Sequence, residues 1–166
     1  MSQGESAAPL LDADTIAFVQ RRVSMTVAAR DASRVPASAR AYGCKVSDDG
    51  REMTVFVARP QAAALLRDIE DNGAVAVVFS RPTTNRTMQF KGTDARVTTL
   101  APGDAQTIAA YVGSFLVELQ PLGFPAPFVH AAFATRPDEM AAITFTPADA
   151  FAQTPGPGAG ERLRRG

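Results

Sequence analysis

Along the first third of the chain, short stretches of apolar residues are separated by polar turns, a pattern typical of β-strands. Together with the β-branched residues, this pattern predicts strands over residues 23–29, 37–46 and 52–58. Before them, Asp12 or Asp14 can cap a short helix that ends near Arg22. Ser-Asp-Asp-Gly at residues 47–50 is a turn signal, because Asp-Gly supplies the positive φ that tight hairpins need. The three strands are therefore predicted to form an antiparallel meander.

The middle of the chain changes to the helical period and then back to strands. The apolar positions of residues 62–71 share one helical face, Pro60 suits the first turn, and Asn-Gly at 72–73 ends the helix. Residues 74–79 are continuously apolar and β-branched, which is typical of a strand buried on both faces. After a hairpin loop, alternation over residues 86–99 predicts a long strand.

The last third of the chain is predicted to be more helical. Apolar residues at helical spacing indicate a helix over residues 104–119, opened by Pro-Gly-Asp. Three prolines and a glycine exclude regular structure over 121–127, whereas 128–134 suits one or two helical turns. A strand over residues 140–146 and a helical turn over 147–151 complete the pattern.

Six strands, mostly joined by hairpins, predict an α+β fold: a six-stranded antiparallel split β-barrel with peripheral helices. A Rossmann sheet is excluded because no Gly-x-Gly-x-x-Gly stands at a strand-to-helix turn. We expect a flexible N-terminus over residues 1–10, one barrel domain over 11–151, and a Pro/Gly-rich arm over 152–166.

Composition narrows the function classes further. Seventeen Lys and Arg balance seventeen Asp and Glu, so no net charge favours nucleic acid or an anionic membrane as a partner. Cys44 is the single cysteine and His130 the single histidine, which argues against a disulfide framework and a multi-histidine metal site. No apolar run reaches the length of a membrane span. A cytoplasmic protein without a metal is the expectation.

Cationic residues near the predicted strand ends are the first candidates for an anion site. Arg40 and Lys45 follow Pro36 in the second strand, and their interval of five places them on opposite faces unless Gly43 allows a bulge. Arg59 precedes the helix that opens at Pro60. A helix N-terminus with an adjacent arginine is a ready anion site, because it combines unpaired N–H groups with a guanidinium.

The second candidate region is the strand pair over residues 72–79 and 86–92. With the two cationic stretches, this order of meander, helix, apolar strand and hairpin resembles the pyridoxamine 5′-phosphate oxidase superfamily over about residues 15–99. The closing Thr-Pro-Gly-Pro-Gly-Ala-Gly is similar to that of an uncharacterised branch of split-barrel proteins. Glycine after Lys91 would allow the bend that closes a barrel.

The resemblance implies a homodimer that binds FMN in a groove between two barrels, and an FMN-dependent oxidoreductase whose substrate it does not name. It implies phosphate contacts from Arg40, Lys45, Arg59, Thr83 and Thr84, and contacts to the flavin ring edge or ribityl chain from Arg86, Thr87 and Gln89. It does not imply pyridoxamine phosphate oxidase activity itself, because that enzyme's C-terminal arginine- and histidine-bearing motif is absent. No catalytic residue is assigned.

Two alternatives stay open. The serine and lysine that accompany the family's phosphate-binding arginine are missing beside Arg59, which favours a non-catalytic barrel that binds a small ligand or a partner. A change of cofactor to deazaflavin or haem is the other alternative, with His130 as the candidate haem ligand. Cys44 is interpreted as a small strand residue, because no base stands near it in the sequence to lower the pKa of its thiol.

Overall fold

The computed structural model describes residues 11–164, so the N-terminal segment expected to be flexible lies outside the described residues. Eight strands form the sheet: β1 Ser24–Arg30, β2 Pro36–Val46, β3 Met53–Ala58, β4 Val75–Ser80, β5 Thr87–Gly92, β6 Arg96–Thr98, β7 Met140–Phe145 and β8 Asp149–Ala152. Four α-helices accompany it: α1 Ala13–Gln20, α2 Arg59–Asn72, α3 Asp104–Leu119 and α4 Ala126–Ala132. Short 3-10 turns occupy Gln120–Leu122 and Pro137–Glu139.

All neighbouring strands are antiparallel, in the order β6-β7-β3-β2-β1-β4-β5-β8. β2 is the longest strand and belongs to both halves of the sheet. From Pro36 to Arg40 it pairs with β1, and from Ala41 to Val46 it pairs with β3. One sheet therefore bends along β2 into the two halves of a split barrel. The predicted α+β antiparallel architecture is confirmed.

The predicted number of six strands is wrong, because the structure has eight. The strand expected over residues 86–99 divides after Gly92 into β5 and β6. A Cβ at Gly92 would lie 2.7 Å from Cδ2 of Phe145, so the chain bends at a position where its backbone packs closely against Phe145 of β7. The bend expected at this glycine thus produces two strands, each paired with a different neighbour.

The second added strand is β8, which replaces the helical turn expected over residues 147–151. Its alanines favour a helix locally, but β5 would otherwise present an unpaired edge. Met88 to Lys91 of β5 pair with Ala152 to Asp149 of β8. Pairing with β5 therefore overrides the local preference.

The core lies between the two halves of the sheet. β1, β4 and β5 alternate buried and exposed residues, as expected for strands with one buried face. α2 contributes Leu65 and Ile69 to the core. β3 is buried on both faces except at its last residue, Ala58, and α3 packs over the neighbouring β2, where Ile108 and Tyr111 lie against Gly43. Among the described residues, no helix is long and apolar enough to cross a membrane.

One face of the sheet carries no buried side chain. It consists of the outward residues of β1, β4, β5 and the first half of β2, and we call it the open face: Ser24, Thr26, Ala28, Arg30, Ser38, Arg40, Ala76, Val78, Ser80, Thr87, Gln89 and Lys91. All are exposed or half-buried, and most are small or polar. This face of the sheet is therefore open to solvent.

Candidate functional site

A β-bulge in β2 decides where the two cations of this strand point. Ala41 pairs with Val57 and Cys44 with Val55, so three steps along β2 match two steps along β3. Gly43 has φ 145°, a conformation that L side chains rarely adopt. Because the bulge inserts one residue, Arg40 and Lys45 lie on the same face of the sheet although five residues separate them. The bulge considered from the sequence is present.

Helix α3 nevertheless separates these two cations. A Cβ at Gly43 would lie 3.6 Å from Cα of Ile108, so the helix crosses β2 directly at the bulge. Arg40 lies on one side of this crossing, with its guanidinium carbon 4.8 Å from the ring centroid of Phe133. Lys45 lies on the other side, where its ammonium contacts Asp104. The structure therefore does not bring Arg40 and Lys45 together around one ligand.

Lys45 has a structural partner. The side chain of Asp104 is only 3% exposed, and its Oδ2 accepts a hydrogen bond of 2.8 Å from the amide of Ala101. Its Oδ1 accepts from the ammonium of Lys45. A carboxylate removed from water needs such a counter-charge. Lys45 thus holds the start of α3 on β2.

The predicted site residues of the β4–β5 loop also hold helices in place. The amide of Thr83 donates to Oε1 of Glu118 on α3 at 3.1 Å, and the Thr83 hydroxyl donates to the same oxygen. The guanidinium of Arg86 lies 3.2 Å from Asp14 of α1 and 4.3 Å from the ring centroid of Phe18. These two side chains, like Lys45, have partners within the fold.

Thr84 acts within its own turn. Its hydroxyl accepts a hydrogen bond of 3.3 Å from the amide of Arg86. The loop amides of Thr84 and Asn85 donate to the carbonyl of Arg81, which closes the turn. The structure therefore places Thr84 at the tip of the hairpin and away from Arg40, which lies on β2, three strands across the sheet from β5 in the order β2-β1-β4-β5.

The register of the sheet brings other predicted residues onto one row of the open face. Arg40 pairs with Thr26, Thr26 with Val78, and Val78 with Gln89. Directly paired residues project to the same side, so Arg40 and Gln89 stand at the two ends of this row, about 14 Å apart at a strand spacing of about 4.8 Å. No carboxylate of residues 11–164 pairs with Arg40. Its guanidinium contacts the ring of Phe133 and has no charged partner there among the described residues.

The C-terminal arm borders this row. Oε1 of Gln89 accepts from Nε2 of Gln153 at 3.4 Å. The carbonyl of Thr87 accepts from the amide of Gln153 at 2.8 Å, and the amide of Thr87 donates to the hydroxyl of Thr154 at 3.0 Å. Sequence reasoning did not place Gln153 or Thr154 at the site. The pairing of β8 with β5 brings these two residues to the row, and no pattern in the sequence predicts that pairing.

Arg59 stands at the start of α2, near the Arg40 end of the row. Val57, two residues earlier, pairs with Ala41, so the start of α2 and Arg40 lie at the same end of the β2–β3 pair. The N-cap residue Ala58 offers no side-chain hydrogen bond, and within residues 11–164 the side chain of Arg59 forms neither a hydrogen bond nor an ion pair. Arg59 therefore stands beside a helix N-terminus that no N-cap side chain occupies.

The remaining candidates lie outside this row. Cys44 is buried, and burial raises the pKa of its thiol, so it is not a nucleophile. Burial likewise raises the pKa of the Tyr111 hydroxyl, which donates to the carbonyl of Val23 at 2.8 Å. His130 is exposed on α4 and lines a cavity of about 430 Å³ between α3 and α4. Among the described residues, no group of three acidic, histidine or cysteine side chains could hold a metal ion.

Comparison with known proteins identifies the fold. No protein-family model and no curated protein matches the sequence. Among solved structures, a pyridoxamine 5′-phosphate oxidase-like protein of Lactobacillus delbrueckii is 13% identical, with a TM-score of 0.52 over 92% of this chain and all of that one. The chain has the pyridoxamine 5′-phosphate oxidase-like fold. HupZ of Group A Streptococcus is 19% identical, with a TM-score of 0.51 over 90% of this chain and 99% of that one. At these identities the likeness confirms the fold.

Proposed function

We propose that this protein is an FMN-binding oxidoreductase of the pyridoxamine 5′-phosphate oxidase-like class, acting in the cytoplasm as a homodimer. The observation that carries the proposal is the row of Arg40, Thr26, Val78 and Gln89 on the open face. It offers a guanidinium without a carboxylate partner at one end, an amide at the other, and a small flat surface between them.

The residues on this row fit the groups of FMN. Arg40 and Arg59 lie at one end, where a phosphate would receive a bidentate guanidinium and the free N–H groups of α2. Gln89 lies at the other end, where its amide would meet polar atoms of a ring edge or a ribityl chain. Thr87 lies one outward position further along β5, and its hydroxyl already donates to the carbonyl of Asn85 at 3.0 Å. Val78 supplies an apolar surface between the two ends. When bound, FMN would supply hydride or electron transfer.

The chain's own contribution is binding, orientation and exclusion of water. Arg40 would hold the anionic end of the cofactor, and Gln89, itself contacted by Gln153, would fix the other end. A second copy packed on the open face would exclude water from the cofactor and provide the homodimer. Among the described residues of this row, no side chain is suited to general acid or base chemistry, so the redox chemistry would come from the cofactor.

The test begins with an absorbance spectrum of the freshly purified protein, followed by FMN titration monitored by flavin fluorescence. We expect saturable quenching that Arg40→Ala and Arg59→Ala each weaken about tenfold or more, because each removes a hydrogen bond to a charged group. Arg67→Ala is the matched control, since Arg67 is an exposed arginine of α2 that pairs only with its neighbour Asp68. A colourless protein that does not respond to FMN would refute the proposal.

A second candidate function is a non-catalytic barrel that binds a small ligand. The commitment of Lys45 to Asp104 favours it, because a cation expected at the phosphate is engaged elsewhere. It predicts no flavin response and no redox activity. A Soret band in the same spectrum would instead indicate haem, and bound deazaflavin would be recognised by its own absorbance after extraction.

A further inference from the structure

A shallow cavity of about 400 Å³ opens on the open face beside the row of Arg40 and Gln89. Its floor is made by three alanines, Ala28 of β1, Ala76 of β4, and Ala74 just before β4. Ala28 pairs with Ala76, which pairs with Lys91, so the cavity occupies the row next to the proposed flavin row. We call it the alanine depression.

The alanines of this floor contribute little to the stability of the fold. Alanine is depleted in strands, and at these half-exposed positions a β-branched residue would suit the sheet better. Three small side chains together lower the surface and let a flat body approach the backbone of β1 and β4. The cavity therefore exists because the side chains along its floor are small.

Two cations stand at opposite sides of the depression. Arg30 lies one outward position beyond Ala28 along β1, and Lys91 lies next to Ala76 on β5. Two strand spacings and two residues along the strand separate their Cα atoms by about 12 Å, so the floor between them is within the reach of both long side chains. Both residues are exposed and line the cavity.

Neither cation has an acidic partner among the described residues. The guanidinium of Arg30 donates only to the carbonyl of Asp31, at 3.3 Å. The ammonium of Lys91 lies 5.1 Å from the ring centroid of Phe151. Asp149 also lines the cavity, but its carboxylate pairs with Arg162. The rim of the depression is thus positively charged above an apolar floor.

We propose that the alanine depression binds a small organic anion with a flat apolar body, held by Arg30 and Lys91 beside the flavin row. The two cations receive the anionic group, and the alanine floor receives the flat body. In the proposed homodimer the second copy covers the flavin row of the open face. It is a poorer occupant of the depression itself, since a two-fold axis through the depression would bring two cationic rims together. The site deepens the proposed function by giving a chemical class to the substrate, but its binding does not require FMN.

The experiment uses two fluorescent probes of similar shape: 8-anilinonaphthalene-1-sulfonate, which is anionic, and N-phenyl-1-naphthylamine, which is neutral. Each is titrated into the full chain and into the variants Arg30→Gln, Lys91→Gln, Ala76→Val and Arg67→Gln. We expect the two charge variants of the rim, Arg30→Gln and Lys91→Gln, each to weaken binding of the anionic probe about tenfold, from the loss of one hydrogen bond to a charged group. Binding of the neutral probe should stay unchanged in both. Ala76→Val fills the floor and should weaken both probes, whereas Arg67→Gln should change neither.

Equal affinity of the anionic probe for the wild type and both charge variants would overturn the proposal. Adding saturating FMN separates this site from the flavin site. Retained binding of the anionic probe supports a separate site, and its displacement would overturn the proposal by assigning the depression to the cofactor. If FMN does not bind at all but the charge variants still weaken the anionic probe, the proposed function fails and the anion site stands.

Discussion

The ammonium of Lys45 on β2 is paired with the buried carboxylate of Asp104 at the first residue of α3. The same carboxylate accepts a hydrogen bond from the amide of Ala101, so it connects β2, the loop before α3 and α3 itself. This pair gives Lys45 a role in the fold, whereas the sequence resemblance implied a role in phosphate binding. The two roles predict different consequences for the same substitution.

Lys45→Met should destabilise the protein by about 1–3 kcal/mol and leave FMN affinity unchanged. The loss falls below that of a fully buried pair, because Lys45 is 40% exposed and water can partly replace it beside Asp104. Urea unfolding measures the change. Adding Asp104→Asn to Lys45→Met should recover part of the stability, since the unpaired buried charge is then removed. A loss of FMN affinity with unchanged stability would return Lys45 to the cofactor site.

Two glycine substitutions should have opposite effects. Gly92→Ala would place a Cβ 2.7 Å from the buried ring of Phe145 and 3.0 Å from the carbonyl oxygen of Thr146, so we expect a loss of about 1–3 kcal/mol. Gly113 lies in the exposed middle of α3, with no atom within 4 Å of an added Cβ. Gly113→Ala should therefore raise stability by about 0.5–1 kcal/mol. Thermal unfolding of both variants tests the claim that Gly92 marks the bend between β5 and β6.

The elements predicted from local signals agree closely with the structure. The helix over 104–119 was predicted from helical spacing, and the hairpin at 47–50 from Asp-Gly. The bulge at Gly43 was open to sequence reasoning because a glycine interrupts a strand pattern. These features are encoded within a few residues, so a single sequence is enough to find them.

The missed features depend on partners far along the chain. β8 is a strand because β5 needs a neighbour, and its own alanines do not indicate this. The contact of Gln153 with Gln89 follows from that pairing. Asp104 as the partner of Lys45 depends on where α3 crosses β2. Which of the predicted cations have partners within the fold therefore follows only from the three-dimensional arrangement.

The N-cap of α1 should give stability a specific pH dependence. The amide of Thr15 donates to Oδ1 of Asp12 at 2.8 Å, and this bond is the main cause that lowers the pKa of the Asp12 carboxyl. A lowered folded-state pKa stabilises the fold fully above the ordinary value of 3.8 and loses that contribution as the pH falls through the folded-state value. Asp12→Ala should cost about 1 kcal/mol at neutral pH.

Asp12→Asn isolates the charge from the hydrogen bond. Asparagine keeps an acceptor for the Thr15 amide but lacks the negative charge that is favourable at a helix N-terminus. The wild type should therefore be more stable than Asp12→Asn at pH 7, and the two stabilities should converge in acid. Unfolding by urea at a series of pH values measures this difference. Asp48→Asn serves as the control, because Asp48 is an exposed carboxylate outside any helix cap. A difference that persists unchanged into strong acid would contradict the role of the Asp12 charge.

The C-terminal arm should stabilise the barrel and the Gln89 end of the site together. The amide of Leu163 donates to Ala150, and the amide of Ala152 donates to Glu161, each at 2.8 Å, so the arm folds back along the free edge of β8. Truncation after Ala152 removes these bonds and the contacts of Gln153 and Thr154 with β5.

We expect this truncation to lower both the melting temperature and the affinity for FMN. Gln153→Ala in the full chain separates the two effects: it leaves the backbone bonds of the arm intact, so it should weaken FMN binding with little change in melting temperature. Thermal unfolding and FMN titration of both variants measure the outcome. If the truncated protein melts and binds FMN as the full chain does, the arm has neither role, and Gln89 acts without support from Gln153.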